Sequence, residues 1–497
     1  MKRYIIILTA LCFFSSCSGF LDETPKGNIT TESYYKTEQH AISATNAIYD
    51  YLIIGYAPGG LWDKHYGGVF FNGYWVLQDL FADNSRSNIS SVDYQSVDNM
   101  QIDQYNEPVE LLWRDFYQVI KGCNVVIDRV PEIDMDATLK NHLIAEAKFF
   151  RGMMYFDLIR MFGDVPLREH NVEGIEEEII PRTSKEKIYE LIFSDLETAE
   201  TDLKYTERCG GGRPYALTAT ALLARVYLTY AAEHKDKTYY ELAVKKANLV
   251  IPSFPMLGDY ADLFKIANRF NSETILGINF NTSLSAGWKG SQFLVRLLPN
   301  LDTSLGGAEN AQGWENATEN LYASYSALDK RRDVTLQRKF VYNNGTEVTL
   351  PKPYFFKYWD RKAEPKGNNS DAIFPAIRTA EMYLIIAEAL NEIHQGATPD
   401  AVVAIKVVRD RAGLDSNSLP TDYAGFKKVV LDEYRHEFAM EGHRWFDLTR
   451  MCSADEFVSI IKAAKPEATP RAVHFRFPIP QRERELSQGV LTQNDGY

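Results

Sequence analysis

The side chains in this chain that could do chemistry are its aromatic rings and its carboxylates, and their settings favour binding over bond breaking. Trp288 lies in Ser285-Ala286-Gly287-Trp288-Lys289-Gly290, and Trp314 follows Gln312-Gly313. A tryptophan flanked by glycine and polar residues is badly placed for a core, which leaves its flat face free to stack on a partner. Trp75 sits in a more apolar run, while Asp83, Asn84 and Tyr94 follow it with hydrogen-bonding groups, and Tyr322 adds a ring further on. These seven are the candidate ligand-binding residues. Trp113 and Trp445 fall on helix faces instead and read as packing.

No catalytic motif accompanies them. GxxxxGK[ST], GxGxxG and GxSxG are all missing from the sequence. His436-Glu437 begins like a zinc-protease helix, but the place of the second histidine is taken by Met440. His436 and His443 lie on one expected helix, and two imidazoles alone make a weak metal site. Acidic pairs such as Asp79 and Asp83 could flank a glycosidic bond, yet with 67 Asp and Glu in the chain such pairs carry little information. The reading is a non-enzyme with no cofactor and no metal.

The elements that must position these residues are mostly helical. Apolar residues recur at helical spacing over Glu107–Val130, Ala137–Phe162 (closed by Gly163), Ser184–Tyr205, Ala216–Ala232, Tyr239–Val250, Ala380–Ile393 and Asp400–Ala412. Small residues such as Ala221, Ala224, Ala243, Ala247 and Ala387 alternate with large ones across short turns, the logic of tetratricopeptide helix pairs. The expected fold is mainly α: a tetratricopeptide-like scaffold of about four helix pairs, covering roughly 104–251 and 376–450. Long irregular loops interrupt it at about 56–105 and 252–375, and long insertions on a regular frame usually carry function. Within the second, Arg338–Tyr358 alternates around Asn343-Asn344-Gly345, which predicts a small β-hairpin with an Asn-Gly turn.

Composition narrows the partners. The 497 residues carry 54 Lys and Arg against 67 Asp and Glu, a net charge of −13, with no long basic run. That argues against nucleic acid and mildly against polyanionic ligands. Aromatic residues make up 13% of the chain, more than a core alone needs.

The first residues read as an address. Lys2 and Arg3 precede an apolar run, Tyr4–Phe14, too short to span a bilayer, and Ser15-Ser16-Cys17 follows. Phe14 to Cys17 resembles a bacterial lipobox, so 1–16 is expected to be a signal peptide. Cys17 would be the lipidated residue, 17–27 a tether, and 28–497 a single domain held on a membrane by acyl chains. Cys123, Cys209 and Cys452 remain, an odd number without CxxC spacing, and read as small buried hydrophobes rather than disulfide or zinc partners.

Five segments then carry a family resemblance: EAKFFRGMMYFDLIRMFGDVPL at Glu146–Leu167; Trp113, Tyr117, Ile120 and Asn124; RTAEMYLIIAEALNE from Arg378 with VRDRAGL from Val408; LDEYRHEFAMEGHRWFDLTRM from Leu431; and the closing FPIPQRERELSQGVLTQNDGY. The chain resembles the SusD/RagB family of Bacteroidetes outer-membrane lipoproteins. The resemblance implies a surface-exposed, lipid-anchored protein of the outer membrane that binds a nutrient and delivers it to a SusC-like TonB-dependent transporter. The usual cargo is an oligosaccharide or polysaccharide, with peptide as the alternative and a surface glycoside hydrolase the least favoured reading. Sugar rings suit the composition, since their apolar C–H faces stack on Trp or Tyr while Asp, Asn or Arg bind hydroxyls. Glu437, Glu441, Arg444 and Asp447, spaced along one expected helix, read as a ridge of ion pairs fixing helix register.

Overall fold

The computed structural model describes residues 34–53, 68–172, 174, 179–203, 212–282, 290–361 and 370–497, with the side chain of residue 72 excepted. The signal segment, Cys17, the tether, Cys209 and Trp288 lie outside the described residues. The chain begins with α1 (Glu38–Ile53), α2 (Tyr74–Leu80), strand β1 (Ser85–Ser87) and α3 (Val92–Asp98). The helical frame follows as α4 (Glu107–Arg129), α5 (Ala137–Phe162), α6 (Lys185–Asp202), α7 (Ala216–His234) and α8 (Lys237–Val250). The irregular middle holds β2 (Thr274–Ile278), α9 (Phe293–Leu297), β3 (Glu315–Ala317), α10 (Glu319–Ser324), β4 (Leu336–Val341), β5 (Glu347–Phe355) and β6 (Phe374–Arg378). The frame resumes with α11 (Thr379–His394), α12 (Pro399–Ala412), α13 (Tyr423–Glu437), α14 (Arg444–Met451), α15 (Ala454–Ala464) and α16 (Gln481–Leu486).

The helix boundaries follow from local chemistry. Asn106 caps α4 by accepting from Val109 N at 3.2 Å, and Asp136 caps α5 by accepting from Leu139 N at 2.9 Å. Gly163, at φ 73°, ends α5 in a conformation that favours glycine. Neighbouring helices pack in series from α1 through α4, α5, α6, α7 and α8 to α11 and α12. The small residues Ala221, Ala224, Ala243, Ala247 and Ala387 are all fully buried in this stack, as the helix-pair pattern requires. At Gly152 a Cβ would lie only 3.1 Å from Leu196, so α5 and α6 approach as closely as a bare Cα allows, with Arg151 bonded to Asp195 alongside. Among the described residues no helix is long and apolar enough to cross a membrane.

Three two-stranded antiparallel pairs complete the architecture: β1 with β3, β2 with β6, and β4 with β5. The last is the expected hairpin, but its turn differs. Tyr342 N bonds to Thr346 O and Gly345 N to Tyr342 O, each at 2.9 Å, so the loop holds three residues, with Gly345 at φ 84°. That is a tight turn closed by a glycine bulge rather than a two-residue Asn-Gly turn. The hairpin has its own small core of Leu294, Leu298, Phe340, Leu350 and Phe356, against which Tyr342, Tyr354 and Trp359 pack.

One expected helix is two. The segment from Leu431 breaks after Glu437, and α14 starts only at Arg444. Tertiary partners replace the helical hydrogen bonds in between. Asp79 accepts from Met440 N at 3.2 Å and Gly442 N at 3.3 Å, Lys357 donates to Ala439 O at 2.9 Å, and Tyr358 donates to Met440 O at 2.9 Å. Met440 and Gly442 turn the chain at φ 62° and 72°. The charged residues of this segment do pair, but through a buried network rather than one ridge. Arg378 binds Glu273 at 2.9 Å, Glu437 at 2.8 Å and Glu441 at 2.8 Å, while Arg331 binds Asp329 at 2.8 Å, Glu433 at 2.6 Å and Glu437 at 3.0 Å. Burial opposes ionisation of Glu437, but Arg411, Arg378 and Arg331 outweigh it and hold the carboxyl well below its usual range.

Candidate functional site

The region after α2 is less open than its sequence suggests. Trp75 is fully buried on α2, its Nε1 donating to Phe70 O at 3.1 Å and its ring against Phe293 with centroids 5.0 Å apart. Asp83 is buried between Arg444, at 2.7 Å, and Arg435, at 3.0 Å. Burial alone would raise its pKa, yet Arg435 and Arg444 hold it well below the carboxylate range. Asn84 is buried too, donating to Asp79 at 3.1 Å and accepting from Arg435 at 2.9 Å. These three residues therefore do not face a ligand. Asp83 and Asn84 tie the segment after α2 to α13 and α14, and the apolar environment that claims Trp75 was already visible in its neighbours Val76, Leu77 and Leu80.

Trp314 and Tyr94 are brought together. Trp314 enters β3 half-buried, and Tyr94 projects half-buried from α3. Between them stands the guanidinium of Arg296, from α9, 5.1 Å from each ring centroid. Arg296 donates to Tyr94 Oη at 3.1 Å and binds Glu315 at 2.8 Å. Both ions of that pair are buried, and burial raises the Glu315 carboxyl despite the Arg296 charge beside it. A cation over an aromatic face adds about 0.5–2 kcal/mol, so one side chain fixes the attitude of two rings.

The backbone around Trp314 is equally constrained. Asn88 N donates to Trp314 O at 2.6 Å and its Nδ2 to Gly313 O at 2.8 Å, extending the β1–β3 pairing. Lys352 Nζ, on β5, donates to Asn88 Oδ1 at 2.7 Å. Gly313 is at φ 57°, and a Cβ there would come within 2.9 Å of the Tyr354 ring, so only glycine lets the chain pass. Tyr322, on α10, is half-buried under Arg338 and Arg332, whose guanidinium carbons lie 5.4 and 5.9 Å from its ring. β3 and α10, which lead from Trp314 to Tyr322, both pack beside β5 of the hairpin.

Arg296, Asn88, Lys352 and Tyr354 escaped the sequence reading. Arg296 alone left a signal, as a single cation inside the apolar run Phe293–Leu298, the mark of a buried paired charge. The face offers ring surfaces with hydrogen-bonding groups at their edge. The carboxylate beneath it, Glu315, is sealed and paired, which suits holding a molecule. Among the described residues no cluster of three or more His, Cys, Asp or Glu could hold a metal ion. A separate cavity of about 570 Å³ lies between α4 and α16, lined by Tyr117, Lys121, Arg168 and Leu486 among others, and contains none of the candidate residues.

Helix pairs stacked in series, interrupted by an irregular insertion, define a helical-repeat protein of tetratricopeptide-like architecture. A SusD-family profile matches residues 308–497, and a second, described as starch-binding associating with outer membrane, matches residues 20–228. The SusD-like protein P25 of Formosa agariphila is 26% identical over the whole of both chains. Among solved structures, a SusD superfamily protein from Parabacteroides distasonis superposes with a TM-score of 0.78 at 25% identity, covering 92% of this chain and 99% of that one. A laminarin-binding SusD-like protein shares the fold at a TM-score of 0.76 and 24% identity, over 93% of this chain and all of that one. The chain belongs to the SusD/RagB family.

Proposed function

We propose that the protein captures a glycan on the face formed by Trp314, Tyr94 and Tyr322 and hands it on without cleaving it. The observation that carries this reading is the Arg296 guanidinium, 5.1 Å from both the Tyr94 and the Trp314 ring, which holds two half-exposed aromatic surfaces in fixed orientation. A preset aromatic surface binds at low ordering cost. Sugar rings match it, with their C–H faces against indole and phenol and their hydroxyls toward Asn88 and Lys352. The matching family description, starch-binding associating with outer membrane, supports both the cargo class and the location. In this reading Cys17 carries the lipid anchor of a surface-exposed protein, Trp288 adds to the platform, and residues 28–497 act as one unit beside a SusC-like TonB-dependent transporter. Native electrophoresis in gels cast with starch, laminarin, pectic and mucin-type glycans tests the binding. The wild type is retarded by at least one of them and Trp314→Ala is not; equal retardation of both would contradict the assignment.

A further inference from the structure

The charge of the binding face runs against that of the chain. Over the whole sequence acids outnumber bases, 67 to 54, but residues 329–361, which build the hairpin and its flanks, carry eight Lys or Arg against four Asp or Glu. Two of those cations are spent internally: Arg331 is buried on Asp329, Glu433 and Glu437, and Lys357 on Glu441. Three more are neutralised at the surface, Arg332 by Asp333, Lys339 by Glu347 and Arg338 by Glu319. Of the remaining three, Lys330 lies before the hairpin, whereas Lys352 stands on β5 and Arg361 follows it. Both are exposed, and among the described residues neither has a carboxylate within ion-pair distance. Lys352 donates to the neutral amide of Asn88, and Arg361 to Val341 O at 2.8 Å and Asn343 Oδ1 at 2.6 Å while covering Phe340 and Trp359.

Position turns this into a specificity argument. Asn88, which holds the Lys352 ammonium, is the same residue that bonds the Trp314 and Gly313 carbonyls, so a cation with no carboxylate partner among the described residues is linked through one side chain to the platform backbone. We infer that the ligand of this face is an acidic glycan, carboxylated or sulfated, whose ring stacks on Trp314 while its anionic group meets Lys352. The inference rests on the glycan-capture reading. A neutral glycan would leave the ammonium with hydroxyl partners it could equally find in water; an anion gains a charge-assisted bond about twice as strong as a neutral one. The overall −13 repels such a ligand only weakly, because at physiological ionic strength charges more than about 8 Å away are screened.

The test is affinity of the full chain for polygalacturonate, alginate and chondroitin sulfate, each compared with its carboxyl-reduced or desulfated form and with neutral laminarin. At least one acidic polymer binds tenfold or more tightly than its neutralised counterpart, and the preference shrinks as NaCl rises from low to high concentration. Lys352→Ala abolishes the preference at unchanged melting temperature, and Lys352→Arg restores it. Equal binding of charged and neutralised forms, or a preference untouched by Lys352→Ala, overturns the inference. Tight binding of laminarin that Trp314→Ala removes, with no acidic polymer bound, overturns it alone and leaves glycan capture standing. No binding to any polymer overturns both.

Discussion

Trp75 and Trp314 carry the same side chain to opposite ends, and the difference lies in what surrounds each ring. Trp75 is sealed among Phe70 and Phe293, so Trp75→Ala opens a cavity and costs about 3–5 kcal/mol in a denaturant titration. Trp314 keeps part of its indole in solvent, so Trp314→Ala costs less stability than Trp75→Ala, about 0.5–2 kcal/mol for the lost Arg296 contact, but weakens glycan binding at least tenfold, about 1.4 kcal/mol. Glycine and polar neighbours pointed to a Trp314 that is not sealed in the core, and the ring is half-buried. For Asp83 and Asn84 no local cue was available, because their partners Arg435 and Arg444 lie more than 350 positions away. Breaking that site strands two buried guanidiniums, and Asp83→Asn is expected to cost about 3–5 kcal/mol at pH 7. The carboxyl is depressed in the folded state, so its stabilisation is present above the ordinary carboxylate pKa and fades as pH falls below it. The gap in urea midpoint between wild type and Asp83→Asn is accordingly widest near neutrality and narrows below about pH 4; a gap independent of pH would contradict the ion-pair account.

At the scale of elements, the helices of the frame were legible because each carries its own apolar period and cap. Ala137–Phe162 and the α7–α8 and α11–α12 pairs stand where the pattern puts them, within a residue or two at most ends. The break after Glu437 was not legible. The local sequence favours continuing the helix, and what stops it is Asp79, some 361 positions away, together with Lys357 and Tyr358. Burial raises Asp79 to about 6 although the Asn84 amide and the Met440 and Gly442 N–H groups act the other way, so this turn depends on a carboxylate held at some cost. Two glycines separate conformation from packing. Gly345→Ala meets nothing within 4 Å and loses only the positive-φ term, about 1–2 kcal/mol. Gly442→Ala adds a Cβ 2.8 Å from the Tyr74 ring and destabilises more than Gly345→Ala in the same thermal scan. Equal effects would show that the turn has room the packing does not reveal.

The whole molecule joins a regular part and an irregular part with different legibility. A stack of helix pairs is a local code and could be read along the chain. The proposed binding face is assembled from α3, α9, β3 and β5, four short elements between Tyr94 and Tyr354, and no spacing rule links them. The length and irregularity of the insertions marked them as the place to look for a site, but neither that nor the family resemblance said which rings. The frame gives the face rigidity, since β3 is pinned to β1 and to the hairpin while Arg296 locks the two rings from beneath. The central claim is that this face, with Trp314 at its centre, holds a glycan. Its most direct measurement is the affinity of wild type and Trp314→Ala for a glycan panel by native affinity electrophoresis, with melting temperature recorded for both. The account predicts retardation by at least one glycan, lost in a Trp314→Ala variant that still melts cooperatively above the temperature of the gel. A variant retarded as strongly as the wild type would contradict it.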